Sequence, residues 1–294
     1  MELRHLQYFL MVAREGTISG AAAALHVSQP SLSRQMQDLE RDLGVRLFER
    51  GSRRITLTEP GMRLRGRAEE IVDLVGRAET EFRVTAGTLA GEVRVAGGET
   101  PAMGLVADAI AVFKDAYPLV RFNLFSGNAE AVGERLDRGR ADFGVFVGHA
   151  DLSRFEFLQL PARDRWGVFM REDDPLAERE VISPADLVEG PFIMPERSWT
   201  GERLAGPLAT WFGDDGEGVE VAATYNLSFN AALLVQEGVG RMLTLEGLTP
   251  TGPDSGLVFR LLYPPAVSII DVVWKRTATP SRAVRLFLES LREA

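Results

Sequence analysis

The side chains best equipped for chemistry with a partner lie between positions 28 and 37. This stretch carries hydroxyls, amides, one guanidinium and a proline: Ser28, Gln29, Pro30, Ser31, Ser33, Arg34 and Gln37. Glutamine can form two hydrogen bonds to adenine, arginine can do so to guanine, and serine can reach phosphates or bases of either type. We therefore predict a helix that reads DNA in the major groove. The alternative is a solvated helix face without a partner. The flanking sequence distinguishes this alternative from a DNA-reading helix.

A cluster of arginines follows shortly afterwards. The segment 49–54 lies between apolar, strand-like arms, and three of its six residues are basic: Arg50, Arg53 and Arg54. A short basic hairpin beside a recognition helix is typical of a wing that contacts phosphates or the minor groove. The wing favours DNA binding over a merely solvated surface.

Two helices are predicted to precede the recognition helix. Apolar residues at helical spacing indicate a first helix from Leu3 to about Glu15, ended by Gly16. Ser19 is predicted to cap a second, alanine-rich helix over residues 20–25, with a turn at residues 26–27. The sequence therefore predicts a helix-turn-helix.

The recognition helix has its own start, core and end signals. Ser28 is predicted to cap it, and Pro30 falls in its first turn, where a missing amide N–H costs little. Its buried stripe is predicted to be Leu32, Met36, Leu39 and Leu43. Gly44 is expected to end the helix in the left-handed conformation.

A long helix is predicted from residue 59 to about residue 86, capped by Thr58. Gly66 and Gly76 weaken this helix by roughly 1 kcal/mol each. Its apolar residues alternate four and three apart, which is the heptad spacing of a coiled coil: Leu64, Ala68, Ile71, Val75, Ala78 and Phe82. We therefore expect these residues to form a dimer seam with a second copy of the chain.

Charge is unevenly distributed along the 294 residues. Residues 1–67 hold eleven arginines and seven acidic residues, a net charge of +4, whereas the remainder carries −13. A basic head joined to an acidic region suits a DNA-binding module fused to a domain with another partner. No apolar run is long enough for a membrane span, and the N-terminal segment lacks signal-peptide features, so we expect a cytoplasmic protein without membrane contact.

The region after residue 90 alternates strand and helix patterns. Strands are predicted at residues 92–96, 121–125 and 143–147, with helices at 105–117 and from 128 to about 138, which indicates parallel β-α-β units. Ligands bind beyond the carboxyl ends of such strands. The first two of these loops are therefore the expected binding site: Glu99, Thr100, Pro101, Ser126, Gly127 and Asn128. For Thr100 and Asn128 the alternative role is simply to cap the following helix.

A second α/β lobe is predicted over roughly residues 163–264. Its candidate strands are 165–171, 192–194, 219–224 and 240–245, and its cleft loops supply Arg197, Ser198, Trp199, Tyr225 and Asn226. Arg197 could hold a carboxylate while Trp199 stacks on a planar group. The alternative is that Arg197 pairs with Glu196 or Glu202 and Trp199 packs within the lobe. A strand at 269–274 and a helix at 281–292 then return to the first lobe.

The segment LHVSQPSLSRQMQDLERDLGVRLFER, followed by LTEPG and a long helix, resembles the LysR-type transcriptional regulators. The similarity continues more weakly through RLDRGRADFGVFVG, VQEGVGRMLTLEG and DVVWKRTATPSRAVRLFLESLRE. It implies an α/β chain in which a winged helix-turn-helix is joined, through a dimerising linker helix, to a two-lobed effector domain like a periplasmic binding protein.

The expected boundaries follow from this resemblance. They are 1–58 for the head, 59–87 for the linker helix and 91–294 for the effector domain, with lobe one at 91–162 and 265–294 and lobe two at 163–264. The implied partners are double-stranded DNA, a small-molecule effector between the lobes, further copies of the chain as a dimer or tetramer, and RNA polymerase. Glu99 departs from the family pattern and would repel an anionic effector, which puts an aromatic-acid inducer in doubt.

Three other function classes compete with a regulator. An enzyme is disfavoured because there is no cysteine and only three histidines, His5, His26 and His149, without a paired nucleophile. No metal-binding motif and no cofactor are expected. A transport solute-binding protein is disfavoured by the DNA-reading head. An architectural DNA-binding protein without an effector would differ from a regulator in showing no response to small molecules.

Overall fold

The computed structural model describes residues 1–50, 54–83, 89–148, 152–187, 190–201, 203–216, 219–249, 251–252, 255–277 and 279–293. The chain forms two compact units, residues 1–87 and 88–294. Each unit has its own hydrophobic core.

The first unit begins with three helices, α1 (Leu3–Glu15), α2 (Ile18–Ala24) and α3 (Gln29–Leu43). Gly16 and Gly44 end α1 and α3 in the left-handed conformation, as predicted. The predicted cap of α2 is wrong: Thr17, not Ser19, accepts the hydrogen bond from the Gly20 amide, at 3.1 Å. Ser28 stands at the cap position of α3, but among the described residues its side chain makes no capping hydrogen bond.

The core of the first unit is built by one apolar stripe from each helix. Its fully buried side chains include Leu6, Phe9, Val12, Leu32 and Leu39. The predicted stripe of α3 is wrong at its last position, because Leu43 is 38 % exposed. Leu43 lies in the final turn of the helix, where the chain leaves the core.

A two-stranded antiparallel wing follows, formed by β1 (Phe48–Arg50) and β2 (Ile55–Leu57). Residues 51–53, and with them Arg53, lie outside the described part of the chain. One carboxylate oxygen of Glu40 accepts hydrogen bonds from the Leu47 amide at 2.7 Å and the Phe48 amide at 3.2 Å. The wing is therefore fixed directly to α3.

Helix α4 (Glu59–Arg83) closes the first unit. Thr58 caps it, as predicted, by accepting a hydrogen bond from the Gly61 amide at 3.0 Å. Gly61 is required by close packing, since a Cβ there would lie 2.2 Å from the Leu47 carbonyl oxygen. The start of α4 is thus locked against the chain segment that enters the wing.

The second unit opens with the predicted β-α-β pattern. Strands β3 (Gly91–Gly97), β4 (Val120–Ser126) and β5 (Phe143–Val147) are parallel, and they alternate with α5 (Met103–Ala116) and α6 (Ala129–Asp137). Buried apolar residues fill β5 on both faces, as a central parallel strand requires. The carboxyl ends of β3, β4 and β5 therefore meet at one edge of the sheet.

Strand β6 (Phe155–Arg171) is much longer than the predicted strand at 165–171. Its first half pairs with β12 (Val267–Lys275), and its second half pairs with β10 (Arg241–Leu245) and β11 (Leu257–Leu262). One continuous strand thus belongs to both halves of the sheet. The alternating polar residues of its first half obscured this continuity in the sequence.

The remaining elements complete the second half of the sheet. They are β7 (Val181–Ile182), β8 (Phe192–Pro195), α7 (Gly206–Phe212), β9 (Val221–Tyr225) and α8 (Ser228–Gln236), and the chain ends with α9 (Arg282–Glu293). The strand order is β4-β3-β5-β12-β6-β10-β8-β9, with β11 pairing β6 and β7. Strands β7 and β11 were not predicted from the sequence.

Candidate functional site

The outer face of α3 is an open polar surface. Ser28, Gln29, Pro30, Ser31, Arg34 and Gln37 are exposed, and Ser33 is half-buried. Asp38, one turn beyond Arg34, is paired with Arg41 at 2.6 Å. Within the described residues Arg34 makes no ion pair, so its guanidinium is free to bind an anion or a base edge.

The wing presents further positive charge beside this face. Arg54 is exposed immediately before β2, and the backbone of Arg50 pairs with Ile55 at the end of β1. The Ile55 amide donates to the Gly16 carbonyl at 2.8 Å, which ties the wing to the end of α1. The head therefore holds its helix face and its basic hairpin on one rigid core.

The predicted dimer seam is only partly available on the surface. Ala68 is fully buried in the core of the first unit and Leu64 packs against that core, so the assignment of Ala68 to an intermolecular seam is wrong. Further along α4, Ile71 is 39 % exposed, Val75 is half-buried and Ala78 is exposed. The side chain of Phe82 lies outside the described part of the structure.

The second unit contains a cavity of about 290 Å³ at the carboxyl ends of its strands, between the two halves of the sheet. Six predicted residues line it: Glu99, Gly127, Asn128, Arg197, Tyr225 and Asn226. Its apolar walls include Val145, Phe146, Val147, Trp166, Leu245 and Leu248. An apolar enclosure with a few polar groups is the usual form of a small-molecule site.

Glu99 spans the cavity. It follows β3, yet its carboxylate accepts a hydrogen bond from the backbone amide of Ser228, the first residue of α8. Leu227 precedes this helix and provides no side-chain cap. Glu99 therefore supplies the negative charge that the N-terminus of α8 favours, and it does so from the opposite wall.

Arg197 spans the cavity in the other direction. It follows β8, and its guanidinium lies close to Gly148 at the end of β5, where an added Cβ would be 3.4 Å from Nη2. Desolvation lowers the pKa of Arg197, although the residue as a whole is exposed, so its guanidinium is only partly shielded from water. Glu196 and the other described carboxylates form no ion pair with Arg197, and Glu202, the other partner in the alternative interpretation, lies outside the described residues.

Two buried hydroxyls lie on the wall formed by β9 and β10. The Tyr225 hydroxyl donates to the Leu243 carbonyl at 2.8 Å, and burial raises the pKa of Tyr225, so this side chain stays neutral. Thr244 is only 1 % exposed, and its hydroxyl lies close enough to the Tyr225 hydroxyl to oppose the rise of the Tyr225 pKa.

Five predicted effector residues do not line the cavity. Thr100 is buried, donates to the carboxylate of Asp164 and accepts from the Ala102 amide. The capping alternative for Thr100 is wrong, because Ala102 holds the cap position of α5 and no described side chain caps that helix. Ser198 is 3 % exposed within its own lobe, and Trp199 forms a bridge with Leu204. Pro101 lies against Gly247, and Ser126 is exposed but is not part of the cavity lining.

Asp164 is the buried partner of Thr100 and lies where β6 passes between the two halves of the sheet. It is 6 % exposed, and burial raises its carboxyl pKa, while hydrogen bonds from Thr100 and the Ala102 amide partly oppose the rise. The carboxylate thus holds the loop after β3 against β6.

Several cavity residues were missed in the sequence. Val145 and Phe146 lie at the end of β5, and the rule that ligands bind beyond parallel strands could have identified them. Trp166 and Thr244 lie within antiparallel strands that pair across the sheet, and no local motif marks them. Glu130 and Glu196 add two exposed carboxylates to the lining.

The described part of the chain contains no group of three or more histidine, cysteine, aspartate or glutamate side chains that could hold a metal ion. His26 adopts a φ of 54° in the turn before α3, and His5 accepts a hydrogen bond from the Glu2 amide at 3.4 Å. His149 lies outside the described residues. No described helix combines the length and apolar character needed to span a membrane.

Comparisons with known proteins agree with both units. Residues 3–62 match the family model of the bacterial regulatory helix-turn-helix protein, lysR family, and residues 86–294 match the LysR substrate binding domain. The chain is 26 % identical to the uncharacterized HTH-type transcriptional regulator YbhD of Escherichia coli (strain K12), covering 99 % of this chain and 90 % of the relative. It is 25 % identical to the uncharacterized regulator YvbU of Bacillus subtilis (strain 168), covering 100 % and 98 %.

Among solved structures, full-length CbnR in complex with its target DNA is similar at a TM-score of 0.78 and 26 % identity. The similarity covers 100 % of this chain and 99 % of CbnR. Full-length BenM is similar at a TM-score of 0.55 and 25 % identity, covering 100 % and 96 %. With both family models matched in order over nearly its whole length, the chain belongs to the LysR family of bacterial transcriptional regulators.

Proposed function

We propose that α3 reads operator DNA in the major groove, with Gln29, Ser33 and Arg34 as the main base readers. The observation that carries this proposal is the exposed polar face of α3, with Arg34 lacking an ion pair among the described residues. Ser28, Pro30, Ser31 and Gln37 border the same groove, and Arg50, Arg53 and Arg54 of the wing contact the backbone or the minor groove. The DNA complex of CbnR supports this arrangement by analogy.

Two copies of the chain bind DNA together in this proposal. The α4 seam consists of the residues beyond the head core, Ile71, Val75, Ala78 and Phe82, and Leu64 borders it. A dimer places two heads on two half-sites, which suits recognition by paired helix-turn-helix units. Two such dimers can pair to form a tetramer. When the protein is bound at a promoter, RNA polymerase is its proposed protein partner.

The cavity is the effector site in this proposal, and the protein acts in the cytoplasm, where its DNA is found. A ligand between the two halves of the second unit changes their separation, and this change alters how the heads bind DNA. We propose no catalytic role and no cofactor, since the family consists of transcriptional regulators.

The test begins with selection of binding sites from a random duplex pool by the full-length protein. Gel-shift titration then compares a selected site with a scrambled one, and DNase I footprinting follows the bound site with and without candidate ligands. A site-specific footprint whose length or position changes with a ligand supports a regulator. A footprint that no cavity-binding ligand alters supports an architectural protein, and equal affinity for both duplexes overturns sequence-specific recognition.

A further inference from the structure

The charges around the cavity are of both signs and are kept apart. Three carboxylates line it, Glu99, Glu130 and Glu196, whereas Arg197 is the single cation among the described lining residues. Arg197 makes no ion pair with any described carboxylate, so the positive and negative positions are not neutralised by one another. A cavity of this kind is complementary to a ligand that carries both charges.

The position of Glu99 sharpens this complementarity. Its carboxylate already accepts the Ser228 amide at the N-terminus of α8. A free helix N-terminus favours an anion, but here the chain itself supplies one. A second carboxylate entering beside Glu99 would meet a like charge, whereas an ammonium group would meet an opposite one.

We infer that Glu99 determines ligand specificity, and that the cavity selects a zwitterion with an ammonium group beside Glu99 and a carboxylate on Arg197 over a simple carboxylic acid. The inference rests on the proposed role of the cavity as effector site. The apolar body of such a ligand packs on Phe146 and Trp166, which line the cavity. The volume of about 290 Å³ suits a small amino-acid-like molecule.

Three probes with one common body test the charge requirement. L-phenylalanine carries both charges, 3-phenylpropionate carries only the carboxylate, and phenethylamine carries only the ammonium group. Isothermal titration calorimetry of the full-length protein without DNA measures each affinity. We expect phenylalanine to bind about tenfold more tightly than either singly charged probe, as expected for one additional charge pair in a partly solvated site.

Substitutions test which cavity residue binds each charged end of the ligand. Glu99→Gln keeps an oxygen that can accept the Ser228 amide but removes the charge, so the preference for phenylalanine over 3-phenylpropionate should fall about tenfold. Arg197→Ala should remove the preference for phenylalanine over phenethylamine. Glu289→Gln, an exposed change on α9 away from the cavity, is the control and should leave all three affinities unchanged.

Several outcomes overturn the inference. They are binding of 3-phenylpropionate or phenethylamine to the unmodified protein as tightly as phenylalanine, no binding of phenylalanine at millimolar concentration, or an unchanged preference in Glu99→Gln. If only Glu99→Ala alters the preference, Glu99 acts as a cap of α8 and not through its charge. Because these titrations contain no DNA, their failure is distinct from failure of the proposed regulation, which footprinting measures.

Discussion

A single carboxylate oxygen of Glu40 accepts the backbone amide of Leu47 at 2.7 Å, and this bond joins the recognition helix to the strand that begins the wing. The same oxygen also accepts the Phe48 amide at 3.2 Å. Glu40 therefore joins α3 to the wing directly, beside the bond that ties the Ile55 amide to the Gly16 carbonyl.

Glu40→Ala should lower the free energy of unfolding of the head by about 1–3 kcal/mol, because two partly buried amides lose their acceptor. DNA affinity should fall as well, since the wing loses its direct bonds to α3 and keeps only its tie to the end of α1. Glu40→Gln is the matched control, because its amide oxygen can accept both bonds. Urea denaturation and gel-shift titration measure the two effects, and an alanine variant with unchanged stability would contradict this role.

Arg34→Ala should weaken binding to the selected site by about 1–3 kcal/mol through loss of a base contact. Arg34→Lys separates charge from geometry, because lysine keeps the charge but lacks the two-pronged guanidinium. We expect the lysine variant to keep its affinity for scrambled DNA and to lose discrimination between the two duplexes. Equal discrimination in both proteins would exclude Arg34 as a base reader.

Asp164→Asn should stabilise the second unit at neutral pH. Burial raises the pKa of Asp164 in the folded protein above its ordinary value of 3.8, so ionisation of this group disfavours folding. The cost is present above the raised folded pKa and is lost as the pH falls toward 3.8. The asparagine variant keeps an acceptor for Thr100 without this cost.

Thermal unfolding at a series of pH values tests whether Asp164→Asn stabilises the protein and how this gain changes with pH. The gain of Asp164→Asn over the unmodified protein should be largest near pH 7 and should shrink on acidification. A variant that is less stable at pH 7 and equally less stable in acid would indicate that the asparagine fails to replace the Thr100 and Ala102 contacts.

Ile71→Asp should dissociate the dimer while leaving the head folded, because Ile71 lies on the exposed part of α4. Ala68→Asp, one turn earlier, should instead unfold the head, since it places a charge in the closed core of the protomer. Analytical ultracentrifugation gives the mass, and circular dichroism with heating gives the fold. A folded Ile71→Asp dimer would show that the seam lies elsewhere.

The sequence was most informative where structure is decided by local signals. The start and end of α1, the turn before α3, and strand β5 at residues 143–147 followed from periodicity, glycine and proline. Thr17 caps α2 in place of Ser19. Both residue types are good helix caps, so their identity alone could not show which of the two the chain uses. The heptad pattern could not reveal that Ala68 is used inside the protomer, since the pattern records an apolar face and not its partner.

Most of the cavity residues in the loops at strand ends were predicted from the sequence, whereas those on β6 and β10 were not. Loops at strand ends led to Glu99, Asn128 and Tyr225, because chain order alone places such ends together. Trp166 and Thr244 reach the same space through the pairing of β6 with β10, a contact between residues about 80 positions apart that leaves no local trace. Thr100 is not part of the cavity lining, and its hydroxyl donates to the buried carboxylate of Asp164.

Strand β6 has a mechanical consequence for signalling. β6 runs from Phe155 to Arg171 through both halves of the sheet, but its pairing with β12 shifts register between Gln159 and Arg163, a segment that contains Pro161. A register shift of this kind bends a strand locally, so we expect any relative movement of the two halves to concentrate in this segment, with the paired stretches on either side remaining stiff.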